Sequence, residues 1–168
     1  MTDWVQSLQT LFEKVDYMNN TTLIAFASKG GVTEEYASII ADVLREKFEV
    51  YVDVVKIKRD PLDVSVYHNV IVGSGIRMFR MHSEVRIFLE NTNFSNKRVA
   101  IFLSSVEPEE DVIKKYLKPI LEKNPHLKPI ATNVFGGRMK IFGKTAADMR
   151  EPDKVKTWAE ELGRKFIN

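Results

Sequence analysis

Residues 22–27, Thr-Leu-Ile-Ala-Phe-Ala, form a short run that is apolar almost throughout. A strand of this kind is covered on both faces, as happens in a parallel sheet. Val70–Gly73 and Arg98–Leu103 have the same character, and Val50–Ile57 and Ile130–Phe135 read as two more strands. Between these runs the apolar spacing changes from that of a strand to that of a helix. Ala37, Ile40, Ala41 and Leu44 line one side of a helix ending near Phe48, and Asp60-Pro61 stops the strand that follows. Ser83–Glu90 is helical. Glu107-Pro108 with Glu109, Glu110 and Asp111 places proline and acids where a helix N-terminus favours them, introducing a helix over Val112–Glu122. A closing helix from Pro152 carries Val155, Trp158, Ala159, Leu162 and Phe166 on one face.

Five short apolar strands separated by amphipathic helices predict an α/β fold, a doubly wound parallel sheet with helices on both faces. An extra helix precedes it over residues 1–18, where Trp4, Leu8, Leu11 and Val15 recur on one face with Val5 and Phe12 beside them, and Asn19-Asn20 ends it. The organisation expected is an N-terminal amphipathic helix over residues 1–20 and a single α/β domain over residues 21–168. A helix this short is marginal alone. Its apolar face is therefore expected to pack on its own domain or on a second copy, which makes it a route to a homodimer. In doubly wound sheets ligands bind beyond the carboxyl ends of the strands, so function is expected in the loops after strands one, three, four and five.

The chain of 168 residues contains no cysteine, which removes thiol nucleophiles, thiolate metal sites and dithiol redox chemistry. Redox chemistry has to come from a cofactor. The net charge is +2, with charges scattered along the chain, so nucleic acid is not the expected partner. His68, His82 and His126 lack metal-ligand spacing, and no metal site is expected. Neither a Ser-His-Asp order nor a persuasive acid/base pair is present, so no catalytic side chain is assigned. Ala27-Ser28 stands where a response regulator needs acids. No apolar run approaches the ~20 residues of a membrane span, and the N-terminus lacks a signal-peptide layout, so a cytoplasmic location without a transmembrane segment is expected.

Ser28-Lys29-Gly30-Gly31-Val32-Thr33 joins the first strand to the first internal helix, where free amides and the helix dipole favour an anion such as phosphate. Gly30 and Gly31 can take positive φ, and the Ser28 and Thr33 hydroxyls can donate to an anion. A second reading is a simple helix-initiating turn with Thr33 as N-cap. The turn matches neither G-x-x-x-x-G-K-[ST] nor G-x-G-x-x-G, so neither a nucleoside triphosphate nor a dinucleotide is indicated.

A turn of this kind at the first strand–helix junction resembles flavodoxins, whose T/S-x-x-G-x-T turn is matched by Ser28, Gly31 and Thr33. The resemblance implies sheet order 2-1-3-4-5 and FMN held by its phosphate at Ser28, Gly31 and Thr33; Lys29, Gly30 and Val32 complete the candidate turn, with Lys29 and Gly30 standing outside the family's pattern and Lys29 able to add charge. A narrower resemblance lies in residues 70–90. Gly73, Ser74, Ile76, Arg77 and His82 match the menaquinone-dependent protoporphyrinogen oxidases, a flavodoxin-like subgroup. It implies that Ser74, Gly75, Ile76, Arg77, Met78 and Phe79 flank the isoalloxazine ring; by its position after strand four, the loop of Ser104, Ser105 and Val106 is the second to face the flavin. The Asn133–Lys140 stretch resembles the segment closing the subgroup's sheet, and Gly136 and Gly137 there either let backbone approach ligand or form a plain turn. The resemblance spans about residues 22–167. Where relatives carry an apolar, Met- and Leu-rich insertion, this chain has the shorter Ile141–Asp153.

The function implied is an FMN-dependent oxidoreductase taking electrons from a small-molecule substrate, protoporphyrinogen IX by resemblance, and passing them to a quinone or other acceptor. One alternative is a flavodoxin-type carrier between redox proteins, although such carriers are usually acidic and this chain is slightly basic. Another is a flavin-free interaction domain of the same fold.

Overall fold

The computed structural model describes residues 2–168. An N-terminal helix, α1 (Asp3–Asn19), leads into β1 (Thr22–Ala27), α2 (Val32–Phe48), β2 (Val52–Lys56) and β3 (Asn69–Arg77). A two-residue strand β4 (Arg80–Met81) precedes α3 (Ser83–Asn91) and β5 (Arg98–Ser105). Then come α4 (Glu109–Val112), α5 (Lys118–Lys123), β6 (Ala131–Gly136), the hairpin β7 (Arg138–Ile141) and β8 (Lys144–Asp148), and finally α6 (Pro152–Ile167). The sheet runs β2-β1-β3-β5-β6, all parallel, with β4 paired antiparallel to the end of β3. Because β4 is an edge addition, the five main strands have the expected 2-1-3-4-5 order.

Strand side chains alternate between two covered faces. Ile24, Phe26, Ile71, Phe102 and Phe135 pack with Tyr36, Ile40 and Leu44 of α2 and with Trp158, Leu162 and Phe166 of α6. On the other face Leu23, Ala25, Val70, Val72, Ile101 and Leu103 meet Val85 and Leu89 of α3 and Ile120 of α5. Each fully buried Leu, Ile or Phe contributes roughly 1.5–3 kcal/mol of hydrophobic stabilisation. Gly73 is the one residue type that fits its place, since a methyl group there would run into the Phe102 ring.

Three features differ from expectation. β3 and β5 extend past Gly73 and Leu103 to Arg77 and Ser105, so Ser74–Arg77 and Ser104-Ser105 are strand rather than loop. The helix after β5 is interrupted by a π turn at Ile113–Leu117. Pro119 follows it without an N–H to give and with a ring that crowds the preceding turn, which explains the widened ladder. Residues 138–148 form an exposed two-stranded ribbon closed by Phe142 (φ 49) and Gly143 (φ 77). The α1 stripe stands open in the single chain. Trp4, Leu8, Leu11, Phe12 and Val15 are all exposed, Phe12 by 66%. Among the described residues no helix is long and apolar enough to cross a membrane.

Candidate functional site

β1, β3 and β5 end side by side at the carboxyl edge, with Ala27 beside Ser74 and Gly75 beside Ser104. This register brings three sequence-predicted segments together: Ser28–Thr33, Ser74–Phe79 and Ser104–Val106.

In the first segment, Gly31 is the N-cap of α2 and takes the left-handed conformation at φ 85. Gly30 does not, so only one of the two glycines is needed for the backbone path. Ser28 is buried, and its Oγ accepts the Gly31 N–H at 3.0 Å, which closes the turn on itself. The first helical bond runs from Glu35 N to Gly31 O at 2.9 Å. The amides of Val32, Thr33 and Glu34 precede it and have no partner among the described residues. Thr33 is not an N-cap. It lies inside the helix, buried, with Oγ1 2.9 Å from Ser104 Oγ. Val32 turns into the core, and Lys29 is exposed and unpaired among the described residues.

In the second segment, Ser74 is buried, donates from Oγ to Gly75 O at 3.0 Å and accepts the His82 N–H at 3.4 Å. A methyl group at Gly75 would lie 3.1 Å from Thr33 Oγ1, 3.6 Å from Ser104 Oγ and 3.7 Å from His82 Nε2. Three polar side chains from three elements therefore converge over that glycine. Burial pushes the His82 imidazole below its ordinary value of 6.5, with Glu84 opposing and Lys29, Arg77 and Lys56 assisting. The ring is therefore neutral at neutral pH. Ile76 pairs with Met81 and Arg77 with Arg80 across a two-residue turn. Met78 and Phe79, at φ 48 and φ 59, form that turn, 81% and 78% exposed. Left-handed backbone costs a non-glycine residue roughly 1–2 kcal/mol.

In the third segment, Ser104 and Ser105 are buried and Val106 is half-buried beyond the strand. Ser105 Oγ accepts the Glu107 N–H at 3.0 Å. Gly136 and Gly137 lie close to their own chain. A side chain at Gly136 would overlap the Met149 carbonyl, and one at Gly137 would press on the Ser105 backbone at about 3.0 Å. Gly137 N donates to Ser105 O at 2.7 Å, Gly136 N donates to Glu151 Oε2 at 2.8 Å, and Tyr36 Oη donates to Gly136 O. These contacts fix the base of the β7–β8 ribbon beside the first turn.

Arg138 is the residue the sequence did not mark. At the start of β7 its Nη2 donates to Gly30 O at 2.8 Å, bringing a guanidinium to the edge of the turn. No local signal announces this, because the partners are 108 positions apart. Two cavities, of about 580 Å³ between the 57–65 loop and α3 and about 470 Å³ between β6 and α6, lie outside this constellation. Among the described residues no group of His, Asp or Glu has the arrangement of a metal site.

A phosphate fits this constellation by its own chemistry. Unpaired helix-start amides, open space above Gly30 and Gly31, two buried hydroxyls and nearby Lys29 and Arg138 are what an anion requires. Among known proteins, residues 23–146 match the flavodoxin domain family. A flavodoxin of Streptococcus pneumoniae TIGR4 is 23% identical over 86% of this chain and 99% of its own, with a TM-score of 0.62. Oxidised flavodoxin 2 of Bacillus cereus is 21% identical over 86% and 99%, TM-score 0.61. A Fusobacterium nucleatum flavodoxin bound to flavin mononucleotide is 15% identical over 87% and 98%, TM-score 0.55. At these identities the likeness is one of fold. No curated protein is similar to the chain at a significant level.

Proposed function

Since the chain belongs to the flavodoxin domain family, we propose that it is an FMN-dependent oxidoreductase, with the phosphate in the Ser28–Thr33 turn and the ring system between Ser74–Phe79 and Ser104–Val106. The observation that carries this reading is the unpartnered amide set of Val32, Thr33 and Glu34 beside left-handed Gly31. The flavin mononucleotide bound to the Fusobacterium relative supports the choice of cofactor. When bound, FMN supplies the electron-accepting and electron-donating chemistry.

The chain supplies binding and electrostatics. The Val32–Glu34 amides and the α2 dipole stabilise the phosphate, with the Ser28 and Thr33 hydroxyls turning their hydrogens to it. Lys29 and Arg138 raise the local positive potential. Met78 and Phe79 cover a face of the ring and keep water from it, while Ser74, Gly75 and Ser104 meet its polar edge. Neutral His82 adds a polar group without charge. No general base is required.

Electrons taken from a porphyrinogen and passed to a quinone are the finer assignment, supported by the likeness of Gly73, Ser74, Ile76, Arg77 and His82 to the protoporphyrinogen oxidases. A second reading, an electron carrier between redox proteins, is favoured by the openness of the rim at Met78 and Phe79. The exposed α1 stripe supports self-association as a further part of this proposal, to be read from sedimentation as a function of concentration.

The test is an absorption spectrum of the purified protein before and after FMN is added and the excess removed. Retained flavin bands are expected, and a colourless protein overturns the reading. Anaerobic mixing of the reduced protein with menaquinone, and of the oxidised protein with porphyrinogen, then separates enzyme from carrier. An enzyme reacts with these small molecules faster than with redox proteins.

A further inference from the structure

We infer that Glu107 is a positioning residue for the segment Ser104–Val106, and that Lys115 and Tyr116, brought together on its carboxylate by the π turn, hold it in place with its charge balanced. The link to the flavin rests on the FMN reading above, whereas the clamp itself does not.

The chain between β5 and α4 is anchored from both sides. On the strand side, Ser105 Oγ accepts the Glu107 N–H at 3.0 Å, and Ser105 O accepts the Gly137 N–H at 2.7 Å. On the helix side, Lys115 Nζ donates to Glu107 Oε1 and Tyr116 Oη donates to Glu107 Oε2, both at 2.8 Å. Half-buried Val106 lies between the anchors, and its backbone N–H and C=O have no partner among the described residues. These are polar groups left for a ligand, on a segment that is not free to turn them away.

A helix start favours acids, and that suffices for Glu109, Glu110 and Asp111, which are exposed and form no ion pair among the described residues. It does not account for Glu107. Glu107 precedes the N-cap Pro108, and its side chain is only 13% exposed. Its two partners are neighbours in sequence, and on a regular helix neighbouring side chains point about 100° apart. The π turn, closed by the Lys118 N–H on Ile113 O, widens the ladder and narrows that angle. Helical side chains also lean toward the N-terminus, which carries Lys115 and Tyr116 back to a carboxylate ahead of the helix.

The bond from Lys115 holds the Glu107 carboxyl below its ordinary value, while burial and then the bond to Glu107 push the Tyr116 hydroxyl up. At neutral pH the clamp is therefore one carboxylate, one ammonium and one neutral phenol. Its charges cancel beside the segment that faces the flavin. Removing one charge or the other unbalances that place with opposite sign, a difference to which a mere brace is indifferent.

The test begins on the flavin-free chain. Tyr116→Phe keeps both charges and removes one bond, and it is expected to shift the Val106 and Glu107 amides in a nitrogen–proton correlation spectrum. Lys115→Met should shift the same amides, and Lys115→Arg should restore them. FMN uptake by the parent is scored separately from flavin absorbance. In the loaded chain, Tyr116→Phe is expected to weaken FMN and riboflavin alike by about three- to tenfold, because the segment faces the ring and not the phosphate. The midpoint potential of the bound flavin is expected to fall in Lys115→Met, which leaves the carboxylate unbalanced, and to rise in Glu107→Gln, which leaves the ammonium unbalanced. Unmoved amides in Tyr116→Phe and Lys115→Met, or potential shifts of the same sign in the two charge variants, would overturn the inference. A parent that takes up no flavin, with amides that move as expected in the variants, would overturn the cofactor reading and leave the clamp standing.

Discussion

Thr33 Oγ1 and Ser104 Oγ lie 2.9 Å apart in the interior, joining the first turn of α2 to the end of β5. Each hydroxyl has one hydrogen and can direct it either to its neighbour or to a ligand. Ser104→Ala leaves the buried Thr33 hydroxyl without its partner, and a loss of about 1–3 kcal/mol in urea unfolding is expected. The double variant Thr33→Val/Ser104→Ala removes both groups and should cost less than the two single losses added together. Strict additivity would show that the pair is not coupled in solution.

The two adjacent glycines of the turn should answer differently to the same change. Gly31 lies at φ 85, so Gly31→Ala is expected to cost about 1–2 kcal/mol in stability and to weaken FMN binding with it. Gly30 lies outside the left-handed region, and a methyl group there meets nothing within 4 Å. Gly30→Ala should be neutral, or stabilising by up to about 1 kcal/mol through a stiffer unfolded chain. Equal losses in the two variants would count against the turn geometry.

Arg138→Ala should separate the phosphate from the ring system. The Arg138 bond to Gly30 O is exposed, so its loss is expected to cost about 1 kcal/mol of FMN affinity, with riboflavin binding unchanged. Flavin fluorescence titrations with the two ligands measure both. Equal weakening toward riboflavin would place Arg138 in the ribbon's support and not at the phosphate.

The five-stranded order is readable from sequence because strands covered on both faces leave continuous runs, as Leu23–Phe26 and Val99–Leu103 show. The strand ends are not readable in that way. Ser74–Arg77 continue β3 through backbone pairing with β4 and β5, to which polar side chains give no signal. The β7–β8 ribbon leaves no hydrophobic period, because it is exposed along nearly its whole length. In the candidate site the turn residues announce themselves, but Thr33–Ser104 and Arg138–Gly30 join positions 71 and 108 apart.

Gly136 belongs to that unread part. A side chain there would collide with the Met149 carbonyl, which is backbone and can move only by displacing the ribbon. Gly136→Ala is therefore expected to break the Gly136 bonds to Glu151 and Tyr36 and to destabilise the chain by more than about 2 kcal/mol. The thermal midpoint measures it, and an unchanged midpoint would mean that the ribbon is not seated as described.

His82 makes stability depend on pH with a sign that its burial fixes. Because burial holds the folded imidazole below the ordinary 6.5, the unfolded chain binds the proton more readily than the folded one. The contribution of the neutral ring is therefore present above 6.5 and is lost as pH falls through the depressed folded value. Carboxylates titrating in the same acid range add their own slope, so the informative quantity is the difference between parent and variant. His82→Gln keeps a polar side chain that does not titrate. Its unfolding free energy is expected to fall less steeply than the parent's from about pH 7 to about pH 5. Parallel curves would mean that the imidazole is as open to water in the folded chain as in the unfolded one, which would remove it from the cluster over Gly75.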